Sequence, residues 1–321
     1  MSFINCTLPF IPKASKVCHD ILRSLNTLSC SNLNVFVKLF DSKVQPILSY
    51  GSEVWGLNEM EGIESVHTRA LKRFLNISVH SSNTIVYGET GRYPLSINHK
   101  INSLRYWLRL QKLPNSRINK QAYEMLVKLS DQGNCNWASK IRDILCENGF
   151  GIAWTFKQVG DEKMFLNMVK QRLRDCYIQG WTSKIINSEH LSGYAGFKSI
   201  FIPKSYLNNP NLYEIKSMRN VLIKFRCGVS QLNSHRFKFA RDINVTHCPL
   251  CKSYRESEIH FLLICRHYED LRVLYLPPNV LSNRNITHMN MLLSSNSFML
   301  AKCLYAMFKR RKELMSNGAL Q

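Results

Sequence analysis

The sequence predicts a mainly α protein: a helical bundle-like N-terminal part, then a second, smaller helical part with a metal knuckle and at most a short strand pair. Three observations lead there. Apolar residues recur at helical spacing along most of the chain; Ile63, Val66, Ala70, Leu71, Phe74 and Leu75 form the cleanest stripe. Period-two alternation marks Arg236-Phe237-Lys238-Phe239 as a short strand. Hydrophobic residues make up 45% of 321 and charged residues 20%, a composition that supports a core and excludes wholesale disorder.

The elements follow in order. Lys13 to Cys30 reads as a helix with Val17, Ile21, Leu22 and Leu25 on one face. Asn34 to Tyr50 reads as a second, with Val37, Phe40, Val44 and Leu48 inward and a kink at Pro46. Gly51 and Gly56 bracket a turn around Trp55. The Ile63 stripe predicts a helix over Glu59 to Asn76, with His67, Arg69, Lys72 and Arg73 largely off the stripe. Pro94 suits the first turn of the next helix, which turns Ile97, Ile101, Leu104 and Leu108 inward and sets Arg105, Arg109 and Lys112 on the other side. Further helices are expected at Ile118 to Ser130, Trp137 to Glu147 and Asp161 to Ile186, the last with Phe165, Met168, Val169 and Leu173 inward. Ser188 to Pro210 is rich in Gly, Ser, Asn and Pro and reads as a hinge. Tyr213 to Cys227, with Ile215, Met218, Leu222 and Phe225 inward, precedes the short strand. Helices around Glu256 to Leu276 and Ser297 to Met315 close the chain. The expected division is 1–115, a helical region; 116–210, a helical linker ending in the hinge; and 211–321, a basic helix plus the cysteine cluster.

Lys and Arg total 43 against 22 Asp and Glu, a formal charge of +21. Such a field attracts polyanions, nucleic acid first and an acidic membrane surface second. No apolar run approaches the ~20 residues of a membrane-spanning helix, and Met1 to Pro12 lacks the positive start of a secretory signal. The expectation is an intracellular chain, nuclear or cytoplasmic, without a membrane partner. Eleven cysteines in such a chain point to metal ligation or buried thiols rather than a disulfide framework.

The strongest local signal is Cys248-Pro-Leu-Cys251, followed by His260 and Cys265. Two thiolates three positions apart can grip an ion from a knuckle turn, and the later pair can complete a tetrahedron from the next helix. Composition alone yields this spacing with a probability of about 4 × 10⁻⁴, or about half a percent once ten equivalent spacings are admitted. Four protein ligands would make a closed, structural zinc site. The alternative is a set of buried thiols beside a helix-facing histidine, and His247 and His267 are spare nitrogens that leave the ligand set open. Around the cluster lie Arg236, Phe237, Lys238, Phe239, Arg241, Lys252, Tyr254, Arg255 and Arg266. Cations neutralise phosphates and exposed rings stack on unpaired bases. With Arg69, Lys72, Arg73, Arg105, Arg109 and Lys112 they form the candidate nucleic-acid surface; taken singly, those around the cluster are better explained as solvated cations or core rings, and the Arg105, Arg109, Lys112 ridge is as well explained as a solvated helix face, whereas the +21 charge favours binding by the basic face as a whole. Lys309-Arg310-Arg311-Lys312 is like a nuclear localisation patch.

Catalytic signatures are missing. There is no Asp-Asp pair for two magnesium ions, no G-x-x-x-x-G-K loop and no His-Glu-x-x-His. No autonomous catalytic centre is expected. A rival enzyme reading needs scattered acids such as Glu53, Glu89 and Asp270.

Three blocks carry a resemblance. Leu39-Phe40-Asp41-Ser42-Lys43-Val44-Gln45-Pro46-Ile47-Leu48-Ser49-Tyr50-Gly51-Ser52-Glu53-Val54-Trp55-Gly56 resembles the segment after the polymerase core of non-LTR retrotransposon reverse transcriptases. Val86-Tyr87-Gly88-Glu89-Thr90-Gly91-Arg92-Tyr93-Pro94-Leu95 resembles their next block. His247-Cys248-Pro249-Leu250-Cys251, with Glu258 to Cys265, Tyr268 and Leu271-Arg272, resembles their C-terminal Cys-Cys-His-Cys motif. The resemblance implies a thumb-like helical region, a linker and a zinc knuckle that hold template RNA and target DNA, with Cys248, Cys251, His260 and Cys265 as ligands. It implies no catalytic residues, because the fingers, palm and endonuclease have no counterpart in this sequence; the missing polymerase core is then a candidate partner. The alternatives are a zinc-stabilised helical protein-interaction module and a truncated element copy without function.

Overall fold

Helices with one apolar stripe are stable when those stripes are buried against one another. The computed structural model describes residues 9–58, 60–213, 215–235, 246–295 and 298–318, and in these the regular elements are helical. Among the described residues the β pairing is one isolated antiparallel bridge, His247 to Arg255. The expected strand Arg236 to Phe239 lies outside the described residues.

The helices are α1 Phe10–Thr27, α2 Leu33–Leu39, α3 Gln45–Leu48, α4 Ser52–Trp55, α5 Glu61–Leu75, α6 Asn83–Thr90, α7 Leu95–Lys112, α8 Ile118–Asp131 and α9 Trp137–Glu147. They continue with α10 Gly151–Phe156, α11 Glu162–Asn187, α12 Ser192–Ala195, α13 Pro210–Tyr213, α14 Lys216–Arg226, α15 Glu269–Tyr275, α16 Pro278–Ser282, α17 Ile286–Ser294 and α18 Phe298–Gly318. None of the described helices is long and apolar enough to cross a membrane. Two compact units form, interleaved along the chain: Met1–Cys18, Phe40–His67 and Tyr93–Trp181 make the first, and His19–Leu39, Thr68–Arg92 and Thr182–Gln321 the second.

In the first unit the core is built on α7. Ile97, Ile101, Leu104 and Leu108 are buried as their spacing requires, joined by Trp107, Leu145, Val169 and Leu173. Trp107 Nε1 donates to Tyr123 Oη at 3.1 Å, which satisfies a polar atom in the centre of that core. Gly56 permits the close approach of α4 to α7, because a Cβ there would stand 2.8 Å from the His99 carbonyl oxygen. Asn136 caps α9 and Ser139 returns the bond, a reciprocal capping box.

The second unit centres on α14 and α18. Phe225, Phe261 and Phe308 meet with centroids 4.6–6.4 Å apart, over buried Leu222, Leu304 and Met307.

Departures from the sequence pattern have local causes. The helix expected over Asn34 to Tyr50 is interrupted by a π turn at Phe40–Val44, and Pro46 falls in the first turn of α3. Proline has no N–H to continue the ladder, so the helix restarts around it. Met168 is 51% exposed, because the buried stripe of α11 runs through Leu166, Val169 and Leu173. Ile215 is exposed because it precedes α14 as its N-cap. Ser188 to Pro210, read as a hinge, is packed: Leu191, Tyr194, Phe197, Phe201, Tyr206 and Leu207 are buried.

Candidate metal centre and its basic surround

The first two donors come from a hairpin turn. The His247–Arg255 bridge closes it, Cys248 N donates to the Tyr254 carbonyl at 2.8 Å, and Lys252 N donates to the Cys248 carbonyl at 2.9 Å. Lys252 takes φ +57°, the left-handed step that reverses the chain. Cys248 and Cys251 are thereby turned to the same side.

The other two come from a π turn, His260–Ile264, whose Cys265 N donates to the His260 carbonyl at 2.8 Å. In an α-helix, residues five apart point about 140° away from each other; the wider i→i+5 turn brings them together. Arg272, fully buried, locks the segment by donating to the carbonyls of Leu262 at 2.8 Å and Cys265 at 2.5 Å. Glu269 accepts from Arg272 at 2.8 Å and from Arg284 Nη1 at 2.7 Å.

The four donor atoms lie within 4.8 Å of one another. Zinc with about 2.3 Å to sulfur and about 2.0–2.1 Å to nitrogen sets tetrahedral edges of roughly 3.8 Å between sulfurs and 3.6 Å between sulfur and nitrogen. Cys248 and Cys265 are 3.9 Å apart and Cys251 Sγ is 3.4 Å from His260 Nε2. Donor chemistry and geometry both fit an ion held by Cys248, Cys251, His260 and Cys265; three thiols and an imidazole suit zinc. The Cys265 thiol and burial push the Cys248 thiol up to about 12, so an ion must displace that proton to bind. Among the described residues this is the cluster of His, Cys, Asp and Glu that can hold a metal; His247 and His267 are not part of it.

Buried polar contacts tie the knuckle to its unit. Glu256, next to the bridge, accepts from Arg311 at 2.6 and 2.8 Å and from Asn233 N at 2.7 Å. His235 Nδ1 accepts the Ser230 backbone N–H at 3.1 Å, which directs its Nε2–H to Glu258 at 2.5 Å. The basic run of α18 is divided by these contacts. Arg311 is buried on Glu256 and Arg310 donates to Asp270 at 2.7 Å, while Lys309 and Lys312 face outward.

The predicted nucleic-acid residues fall in several places. Lys252, Arg255 and Arg266 are exposed around the donors, with the Tyr254 ring 61% exposed beside His260. Arg105, Arg109 and Lys112 form an exposed row on α7 in the first unit, and Lys112 pairs with Glu162 at 3.2 Å. Arg69 and Arg73 are exposed on α5. Lys72 is not: it is 6% exposed and its ammonium donates to the Val79 carbonyl at 2.7 Å, because the chain after α5 folds back over it. Arg236, Lys238 and Arg241, with Phe237 and Phe239, lie outside the described residues.

Of the three acids named for an enzyme, two are held by arginines. Asp270 pairs with Arg310, and Glu89 is completely buried in the second unit. Glu89 accepts from Arg226 at 2.8 and 3.1 Å, Tyr194 Oη at 3.0 Å and Tyr206 Oη at 2.5 Å. Burial would raise this carboxyl, but the Arg226 guanidinium and the Arg226 and Tyr206 hydrogen bonds bring it down to about 2. Glu53 lies in the first unit, on α4.

The chain matches no protein family, and no curated protein or solved structure is significantly similar to it.

Proposed function

We propose that the chain binds nucleic acid through a zinc-ordered knuckle and basic helix faces, as the C-terminal region of a non-LTR retrotransposon reverse transcriptase. The observation that carries this reading is the surround of the donor cluster: Lys252, Tyr254, Arg255 and Arg266 point into solvent from the hairpin and turn that the four donors hold. The zinc ion orders the segment, and its four protein ligands leave no open position for substrate or water. Cations then grip phosphates while the Tyr254 ring stacks on an unpaired base, which favours single-stranded RNA over duplex DNA. The resemblance of residues 39–56, 86–95 and 247–272 to that family supports the same reading.

The test is a gel-shift series over salt with single-stranded RNA and duplex DNA. Affinity for RNA should fall steeply with salt, and the Lys252→Glu/Arg255→Glu double variant should flatten the logarithmic slope by about 1.4, two contacts at about 0.7 each. Equal, salt-insensitive retention of both ligands would refute the proposal.

A further inference from the structure

The second unit contains a cavity that the knuckle reading does not use. It has a volume of about 600 Å³ and lies among the second half of α1, the end of α5 and the start of α14. Arg23, Arg73, Lys216 and Arg219 line it, and among the described residues no carboxylate does; Asp20 reaches His19 at 3.8 Å but is not part of the wall.

Arg219 decides its character. The side chain is 2% exposed, and its Nε and Nη2 are buried without a hydrogen-bond partner among the described residues. Its guanidinium rests over the Phe74 ring at 4.8 Å, and Phe74 is itself stacked on Phe36 at 4.7 Å, so the group is fixed in place. Burial lowers its pKa to about 10, which leaves it cationic at neutral pH. Buried N–H donors on a charged group are costly to leave unmade. Lys216, at the rim, donates to the neutral Asn26 amide oxygen at 2.8 Å. Beside Arg219, Asn220 Oδ1 is a buried acceptor without a partner among the described residues, which a hydroxyl would satisfy.

We propose that this cavity is a receptor for a phosphate monoester of nucleotide size: the phosphoryl oxygens take the Arg219 donors and the Arg73 and Lys216 charges, and a neighbouring sugar hydroxyl donates to Asn220. Planar guanidinium groups match phosphoryl oxygens in pairs, and the volume exceeds that of bare phosphate and suits a nucleotide. The same group can come from a free nucleotide or from the phosphorylated end of a strand. The inference does not depend on the knuckle.

Isothermal titration of the full chain with adenosine 5′-monophosphate, adenosine, inorganic phosphate and a 5′-phosphorylated RNA hexamer tests it. The monophosphate should bind, inorganic phosphate should compete with it, and adenosine should not. Lys216→Glu and Arg73→Glu, both at exposed positions, should each weaken the monophosphate at least tenfold; Arg219→Met should abolish binding if that variant folds. Lys128→Glu, exposed on α8 in the first unit, should leave it unchanged. Tighter binding of the 5′-phosphorylated hexamer than of the same hexamer with a 5′-hydroxyl assigns the strand end as the source, and equal binding of the two hexamers assigns the free nucleotide. No heat from any phosphate probe at millimolar concentration, equal competition by adenosine, or full affinity in the Lys216→Glu and Arg73→Glu variants would overturn the proposal.

Discussion

Replacing Glu89 by Gln keeps the shape of the side chain and removes its charge. The carboxylate it replaces is fully buried and accepts from two guanidinium nitrogens and two phenols. The Arg226 side chain is 1% exposed, so the variant leaves a cation in the core without a counter-charge. Breaking a buried pair in this way costs about 3–5 kcal/mol, against about 0–1 kcal/mol for a surface pair such as Lys112–Glu162. The proton linkage agrees. Glu89 titrates at about 2 in the fold against an ordinary 4.5, and about 2.5 units at 1.36 kcal/mol each come to about 3 kcal/mol. Because the folded pKa is the lower one, the unfolded chain holds the extra proton between pH 4.5 and pH 2. The contribution is whole above pH 4.5 and is lost as pH falls through the window to about 2. Urea denaturation at pH 7 is the assay: with a slope of about 3 kcal/mol per molar, the midpoint should fall by about 1 M or more. The variant should also lack this part of the wild type's loss of stability from pH 4.5 downward. A destabilisation below about 1 kcal/mol at pH 7, or an equal acid response in both proteins, would refute the reasoning.

Two other perturbations follow from geometry. Gly91 has φ +62°, and a Cβ there would stand 2.4 Å from Pro203 Cδ and 2.5 Å from its nitrogen. Left-handed backbone costs an alanine about 1–2 kcal/mol and overpacking a further 1–3, so Gly91→Ala should lower Tm by at least about 4 °C in a thermal scan; an unchanged Tm would contradict the packing. For the metal centre, elemental analysis of the purified chain should find one equivalent of zinc, lost in Cys251→Ser, and a strong chelator should lower Tm in the wild type. Sub-stoichiometric zinc in the wild type would remove the site.

What was legible in the sequence is what depends on neighbours a few residues away. The α5 stripe predicted its own burial, because a helix repeats its environment every 3.6 residues, and Ile63, Val66, Ala70, Leu71, Phe74 and Leu75 are all buried. The donor set was legible for a similar reason: a knuckle turn and the helix after it bring Cys248, Cys251, His260 and Cys265 within reach over only 18 positions. How they meet was not. Apolar periodicity reads Glu256 to Leu276 as one helix, whereas Cys265 leaves helical geometry at φ −59°, ψ 122° and the preceding turn widens to i→i+5. Burial of charge was the least legible property of all. Lys72 sits opposite the α5 stripe and still loses its solvent, because Val79 returns over it. Glu89 finds its partners 105, 117 and 137 positions away, two of them in a stretch whose glycine, serine, asparagine and proline content predicts irregular backbone and says nothing about burial. The same holds for Arg219, an unremarkable basic residue in the sequence, whose phosphate-seeking character exists only once α1 and the end of α5 close around it. A charge count gives the net +21; the fold decides which of those cations remain exposed, and the exposed ones are where substitution should be aimed.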